Sequence, residues 1–193
     1  MERTLVTMAV NQLKDAGCYL EKTCDTAYNQ PLPRLSGNTI GHFTRLVISH
    51  YQALSKAMRA SMTEERAVLN YDLNRCYSAI GQSPRVALAA VEDLCEKMPR
   101  YVNNGPVWLE DASFSVDKPM LFPTTIEREL LVNLERTNHL FELVKIGLNI
   151  VSPCLELPAH FGKMQIPIMP VGEPVPMYPT FSLAEPEQFR IAV

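Results

Sequence analysis

The long stretch from Thr124 to Val151 restricts the possible folds more than any other part of the sequence. Its apolar residues recur at spacings of three, four and seven, which places them on one face of a helix. They are Ile126, Leu130, Leu134, Phe141, Val144 and Leu148. Thr124 with Glu127 predicts a capping box at the helix start, and Pro153 marks the end. The polar run 135–139 faces either a functional site or water.

Three further helices are predicted upstream of this stretch. The same periodicity runs through residues 2–29, 39–61 and 83–100. Ser83 followed by Pro84 is typical of a helix start, because proline lacks only an N–H that would be unpaired there. Four long helices with long connections predict an all-α, up-and-down four-helix bundle.

Short apolar runs between the third and fourth predicted helices indicate a small β-hairpin. They lie at 107–109 and 114–116, with Phe122 as a third element. The segment 63–74 is ambiguous, because it begins like a helical turn and continues with the turn-like sequence Asn-Tyr-Asp at 70–72.

The last part of the chain differs in composition from the rest. Eight of the fifteen prolines lie between Pro153 and Pro186, so a long helix is excluded there. Residues 163–193 are nevertheless rich in large apolar side chains, unlike a typical disordered tail. We therefore expect a bundle domain over 1–162 and an extended C-terminal arm over 163–193, with a partly ordered tail as the alternative.

Charge and cysteine content narrow the classes of function. The net charge is −3 and no basic stripe is present, so we expect no nucleic-acid binding. No leader peptide and no run of roughly 20 apolar residues is visible, so we expect no membrane association. The five cysteines form no CxxC pair, which favours reduced thiols and a cytoplasmic protein.

Four segments, in order across residues 36–162, resemble motifs of the DinB/YfiT-like superfamily. Residues 40–54, IGHFTRLVISHYQAL, resemble its Ile-Gly-x-His-x-x-His motif. Residues 127–148 resemble its Arg-Glu-Leu, His-Thr-x-His-His and Ile-Lys-Ile-Gly motif. The Tyr-Asp pair at 71–72 and the Leu-Pro-x-x-Phe-Gly pattern at 157–162 complete the set.

The resemblance implies a four-helix bundle that binds a divalent metal, often zinc or nickel. In typical members one histidine of the second helix and a His-x-x-x-His pair of the fourth hold the ion. Residues four apart on a helix point the same way, and a third ligand from the facing helix leaves an open position. That position could activate water or a thiol, and some relatives are thiol-dependent transferases or isomerases.

The chain departs from this pattern at the ligand positions themselves. Phe43 and Leu46 stand where the second helix of the family carries histidine, and Arg136 and Leu140 replace the His-x-x-x-His pair. His139 occupies the position between them. Apolar side chains cannot coordinate a metal, and a guanidinium brings a repelling charge. We therefore expect no metal cofactor.

Our leading interpretation is a metal-free protein that acts by binding or assembly rather than by catalysis. Arg45, His50, Arg136 and His139 would line a cleft for a carboxylate or other small anion between the second and fourth helices. The simpler alternatives are a core-boundary role for His50 and a surface Arg136 that pairs with a nearby glutamate. The packing of relatives and the C-terminal arm favour a homodimer.

Two other interpretations stay open at this point. The chain could be a thiol-dependent transferase or hydrolase with a shifted zinc or nickel site, built from His50, His139 and either Glu135 or Glu142. A nucleic-acid role is suggested only by the name of the family, and the acidic balance of the chain argues against it.

Overall fold

The computed structural model of the protein describes residues 2–63, 66–72, 78–111 and 119–163. These residues are mostly helical, as predicted, with six α-helices and a small three-stranded sheet. In chain order the elements are α1 (Glu2–Leu20), α2 (Asp25–Asn29), α3 (Ile40–Ala60), β1 (Ala67–Leu69), α4 (Ser78–Gln82), α5 (Pro84–Lys97), β2 (Pro106–Asp111), β3 (Met120–Thr125) and α6 (Ile126–Val151).

The four long helices α1, α3, α5 and α6 enclose the apolar core. Helix α1 packs on α5 and α6, and α3 packs on the same two helices. Their facing side chains, among them Leu13, Ile48, Leu54, Val91 and Leu134, are almost fully buried. Each such side chain contributes roughly 1.5–3 kcal/mol when removed from water, so these interfaces hold the fold together.

The first predicted helix is interrupted, contrary to the prediction of one helix over 2–29. Helix α1 ends at Leu20, and the hydroxyl of Thr23 donates to the carbonyl of Tyr19 at 2.6 Å in the turn that follows. The short helix α2 then carries the buried Tyr28, whose hydroxyl donates to the carbonyl of Ile80 at 2.9 Å. The change of direction lets Tyr28 reach α4.

The predicted hairpin is wrong, because the sheet has a third strand. Strands β2 and β3 pair antiparallel, with Trp108 opposite Pro123, but β1 pairs parallel to β2, with Val68 opposite Trp108. Strand β1 lies in the ambiguous segment 63–74, where its alternating burial places Ala67 and Leu69 in the core. The predicted strand at 114–116 lies outside the described residues.

Helix α6 begins one residue later than the predicted capping box. Its N-cap is Thr125, whose hydroxyl accepts from the backbone N–H of Arg128 at 3.3 Å. The hydroxyl of Thr124 instead donates to the buried carboxylate of Glu129 at 2.7 Å. The reason for the shift is that Thr124 is the inward-facing residue of β3, so it serves the core rather than the helix end.

The segment that follows α6 packs against the helices through the side chain of Phe161. Phe161 is fully buried, stacks on Phe141 with ring centroids 4.6 Å apart, and meets the edge of Tyr19 at 5.8 Å. Of the predicted arm at 163–193, residues 164–193 lie outside the described part of the chain. No helix within the described ranges has both the length and the apolar character needed to span a membrane.

Two glycines give a direct test of this packing. A methyl group added at Gly41 would lie 2.1 Å from the carbonyl oxygen of Gly81, where α3 meets α4. At Gly17, in the last turn of α1, the nearest atom would be the Cδ1 of Leu88 at an ordinary 3.7 Å.

We expect Gly41→Ala to lower the free energy of unfolding by about 2 kcal/mol, because overpacking forces the two helices apart. Gly17→Ala is the matched control and should raise that free energy by about 0.5–1 kcal/mol through helix propensity. Urea unfolding followed by circular dichroism measures both. Equal effects of the two substitutions would contradict the described α3–α4 contact.

Candidate functional site

A cavity of about 580 Å³ lies between α3, α6 and β2. Three of the four predicted site residues line it, namely Arg45, His50 and Arg136. The fourth, His139, is exposed on α6 and is not among the lining residues. The remaining lining residues are Leu46, Ser49, Tyr71, Asp72, Leu109, Glu110, Asp111, Arg128, Glu129 and Val132.

Arg136 and His50 meet across the gap between the two helices. Their Nη1 and Nε2 atoms are 3.4 Å apart. Since a guanidinium can only donate, His50 must present an unprotonated Nε2 for this contact to be a hydrogen bond. Within the described residues, Arg136 forms no ion pair with a carboxylate. Arg136 is an exposed side chain, as in the alternative of a surface arginine, but its pairing with a nearby glutamate is not seen among the described residues.

Tyr71 supports both of these side chains. The Cζ atom of Arg136 lies 5.8 Å from the centroid of the Tyr71 ring, a cation–π distance. The ring of His50 meets the same tyrosine edge-on, with centroids 5.4 Å apart and planes at 84°. The position of Tyr71 therefore decides where the two polar groups of the cavity can lie.

Buried hydrogen bonds hold the hydroxyl of Tyr71 in place. Its hydroxyl donates to Oε2 of Glu129 at 3.0 Å and accepts from the amide of Asn133 at 2.7 Å. The other oxygen of Glu129 accepts from the hydroxyl of Thr124. Glu129 is 3% exposed and Asn133 is 1% exposed. We refer to Thr124, Tyr71, Glu129 and Asn133 as the Glu129 network.

The surroundings of Tyr71 keep its phenol protonated. Burial, and after it the carboxylate of Glu129, raise the pKa of Tyr71 well above its usual range. Both causes disfavour the phenolate, because it would be poorly solvated and would face a like charge. At neutral pH the phenol is therefore a neutral donor to Glu129, and it is a fixed structural group rather than a proton carrier.

The residues at the ligand positions of the family do not fit a metal. Phe43 is buried, Leu140 packs against the core, and Leu46 and Arg136 line the cavity. None of the first three side chains offers a donor atom, and the guanidinium of Arg136 repels a cation. Among the described residues, no three His, Cys, Asp or Glu side chains are grouped so that they could hold an ion.

The alternative ligand set of the shifted metal site is also not brought together. His50 lines the cavity, whereas His139, Glu135 and Glu142 are exposed on α6 and do not line it. Glu142 lies 3.6 Å from the ammonium of Lys145. A site that uses His50 with either glutamate would need these side chains to move.

The sequence analysis missed three important residues of this site. The sequence patterns assign no role to Glu129 or Asn133, and they include Tyr71 only as part of the Tyr-Asp motif. A signal was present, since Glu129, Asn133 and Thr137 recur every four residues beside the apolar stripe of α6, and all three are buried. A polar row at that spacing, next to a core-facing stripe, is an indication of a buried network.

We expect Tyr71→Phe to lower the free energy of unfolding by about 2 kcal/mol. The substitution keeps the ring but removes one donor from a buried carboxylate and the acceptor of a buried amide. Tyr101→Phe, at a half-buried tyrosine outside the Glu129 network, is the control and should change stability by less than about 0.5 kcal/mol. Chemical denaturation measures both, and equal losses would contradict the network.

The chain was also compared with family models, curated proteins and solved structures, and no match was found in any of the three comparisons. The similarity to the DinB/YfiT-like superfamily therefore depends on the four sequence motifs described above.

Proposed function

We propose that the chain is a divergent DinB/YfiT-like four-helix bundle that binds a small anion where its relatives bind a metal. The packing of α1, α3, α5 and α6 in neighbouring pairs is consistent with an up-and-down bundle. The ligand is a carboxylate or an anion of similar size, held in the cavity between α3 and α6. In this proposal the protein acts by binding rather than by catalysis. That the chain forms a homodimer stays a prediction.

The observation that carries this proposal is the environment of Arg136. Its guanidinium lines the cavity, is held against His50 and Tyr71, and has no carboxylate partner within the described residues. A guanidinium presents five donors in a rigid fork, and one contact to a histidine nitrogen leaves most of them free. A carboxylate accepts two parallel hydrogen bonds from this group, which is the strongest neutralising contact available to it.

One neighbouring group favours the same ligand. Arg45 lines the cavity from α3, whereas the hydroxyl of Ser49, one turn further along, already donates to the carbonyl of Leu46 at 3.0 Å. His50, with Nε2 as the acceptor, holds the guanidinium of Arg136 at the cavity. The guanidinium of Arg136, which stands at a ligand position of the family, also repels a divalent cation. The carboxylates of the lining belong to other positions, namely Asp72, Glu110, Asp111 and Glu129.

The anion prediction can be tested by thermal unfolding with acetate, propionate and inorganic phosphate at constant ionic strength. At a ligand concentration ten times the dissociation constant, binding stabilises the folded protein by about 1.4 kcal/mol. We expect this stabilisation in the wild type and in Arg59→Ala, an exposed arginine near the end of α3. It should be lost in Arg136→Ala. No stabilisation by any of the anions, or equal stabilisation in both variants, would contradict the proposal.

The absence of a metal site is tested separately. After loading with zinc or nickel and removal of free ions, we expect well under one equivalent of metal per chain by elemental analysis. The reason is that, in the part of the chain that the structure describes, no three metal-ligating side chains are grouped around His50. Stoichiometric metal that disappears in the double variant His50→Ala, His139→Ala would instead support the transferase or hydrolase alternative.

A further inference from the structure

A groove of about 420 Å³ lies between α1 and the turn Met98–Tyr101. It shares no lining residue with the cavity between α3 and α6. Its lining along α1 extends from Arg3 to Lys14, which corresponds to about 16 Å of helix. An extended peptide segment of about five residues would cover that length.

The charged side chains that line this groove are positive. They are Arg3 and Lys14 from α1 and Arg100 from the turn, and none of the described lining residues is acidic. Arg100 pairs with Glu96. Arg3 and Lys14 are exposed, and neither forms an ion pair with a carboxylate in the part of the chain that the structure describes. The groove therefore offers two cations to a partner of negative charge.

Between these cations the groove is lined by valines. Val6 and Val10 lie one turn apart on α1, and Val102 faces them from the other side. A simple anion would leave this apolar surface uncovered, whereas an occupant that carries both carboxylates and apolar side chains would match the whole lining. That combination is the chemistry of an acidic, apolar peptide segment.

The chain itself contains such a segment. Residues 181–189, with the sequence FSLAEPEQF, carry Glu185 and Glu187 between large apolar side chains and contain no lysine or arginine. They belong to residues 164–193, which lie outside the described part of the chain. In 164–193 as a whole, three glutamates oppose a single arginine, so the net charge of this part is opposite to that of the groove.

The described part of the chain ends beside this groove. His160 contacts the carboxylate of Asp15, with Nε2 3.1 Å from both oxygens, and Asp15 directly follows Lys14 on α1. The last described residue is Lys163. The 18 residues that follow it, up to Phe181, span at most about 60 Å, several times the length of the groove. The acidic segment is therefore within reach of the groove of its own chain.

We propose that residues 181–189 dock in the groove along α1 of the same chain. Glu185 and Glu187 lie toward Arg3 and Lys14, and the apolar residues of the segment lie against the valines. The covalent connection favours this contact, because two linked groups meet at an effective concentration in the millimolar range. A contact too weak to hold two separate molecules together is then still formed.

Zero-length cross-linking of the full chain tests the contact. A carbodiimide activates a glutamate carboxylate, which forms an amide only with a lysine amine that touches it, and mass spectrometry of the digested protein identifies the pair. We expect links from Glu185 or Glu187 to Lys14 to be about fivefold more frequent than links to Lys56, an exposed lysine of α3. Equal links to both lysines, or links to neither, would overturn the proposal.

Isotope labelling decides whether the segment docks within one chain. In an equal mixture of unlabelled and nitrogen-15-labelled protein, a link within one chain joins two peptides that carry the same label. We expect only such pairs. Pairs of mixed label at the statistical frequency would mean that the segment reaches a second copy, which would overturn docking within the same chain.

Charge reversal tests the chemistry of the groove. Arg3→Glu should lower the yield of the Lys14 link about fivefold, because it replaces an attraction with a repulsion. Arg59→Glu, at an exposed arginine near the end of α3, is the control and should leave the yield unchanged. Exchanging the charges in Lys14→Glu, Glu187→Lys should restore the link with its partners reversed. Equal yields in the two arginine variants, or no link in the exchanged pair, would contradict the docking.

Discussion

Glu129 is a carboxylate almost completely removed from water, and the site depends on how its charge is accommodated. A buried carboxylate is costly unless donors surround it. The hydroxyls of Thr124 and Tyr71 supply those donors, from β3 and from the segment after β1. Hydrogen bonds to this one carboxylate therefore connect β3 and the segment after β1 to α6. Tyr71, fixed in this way, positions Arg136 and His50 above it.

The helices could be predicted because their signal is local, whereas the sheet could not. Apolar periodicity and capping residues located α3, α5 and α6 to within a few residues, since both depend on neighbours in sequence. Strand β1 is only three residues long and becomes a strand by pairing in parallel with β2, far along the chain. The break after Leu20 has a similar cause, because Tyr28 is positioned by the distant carbonyl of Ile80.

The candidate site was predictable in its location but not in its construction. Aligning the motifs pointed to the space between the second and fourth helices, and Arg45, His50 and Arg136 do meet the cavity there. The position of Glu129 in the first turn of α6 argues against its burial, because acidic residues there usually face water and favour the helix dipole. The only sequence signal for its burial is its four-residue spacing from Asn133 and Thr137. His139 does not join Arg45, His50 and Arg136 at the cavity. Its neighbour Leu140 packs against the core, and the side chain of His139 is exposed.

The central claim is that the guanidinium of Arg136 receives a carboxylate. The most direct test is a titration of the arginine side-chain N–H signals by nuclear magnetic resonance, with propionate as the ligand. The signal of Arg136, assigned by its loss in Arg136→Lys, should shift in a saturable way, while that of the exposed Arg59 should not. An Arg136 signal that stays unchanged, or that drifts linearly together with the signals of arginines outside the cavity, would contradict the account.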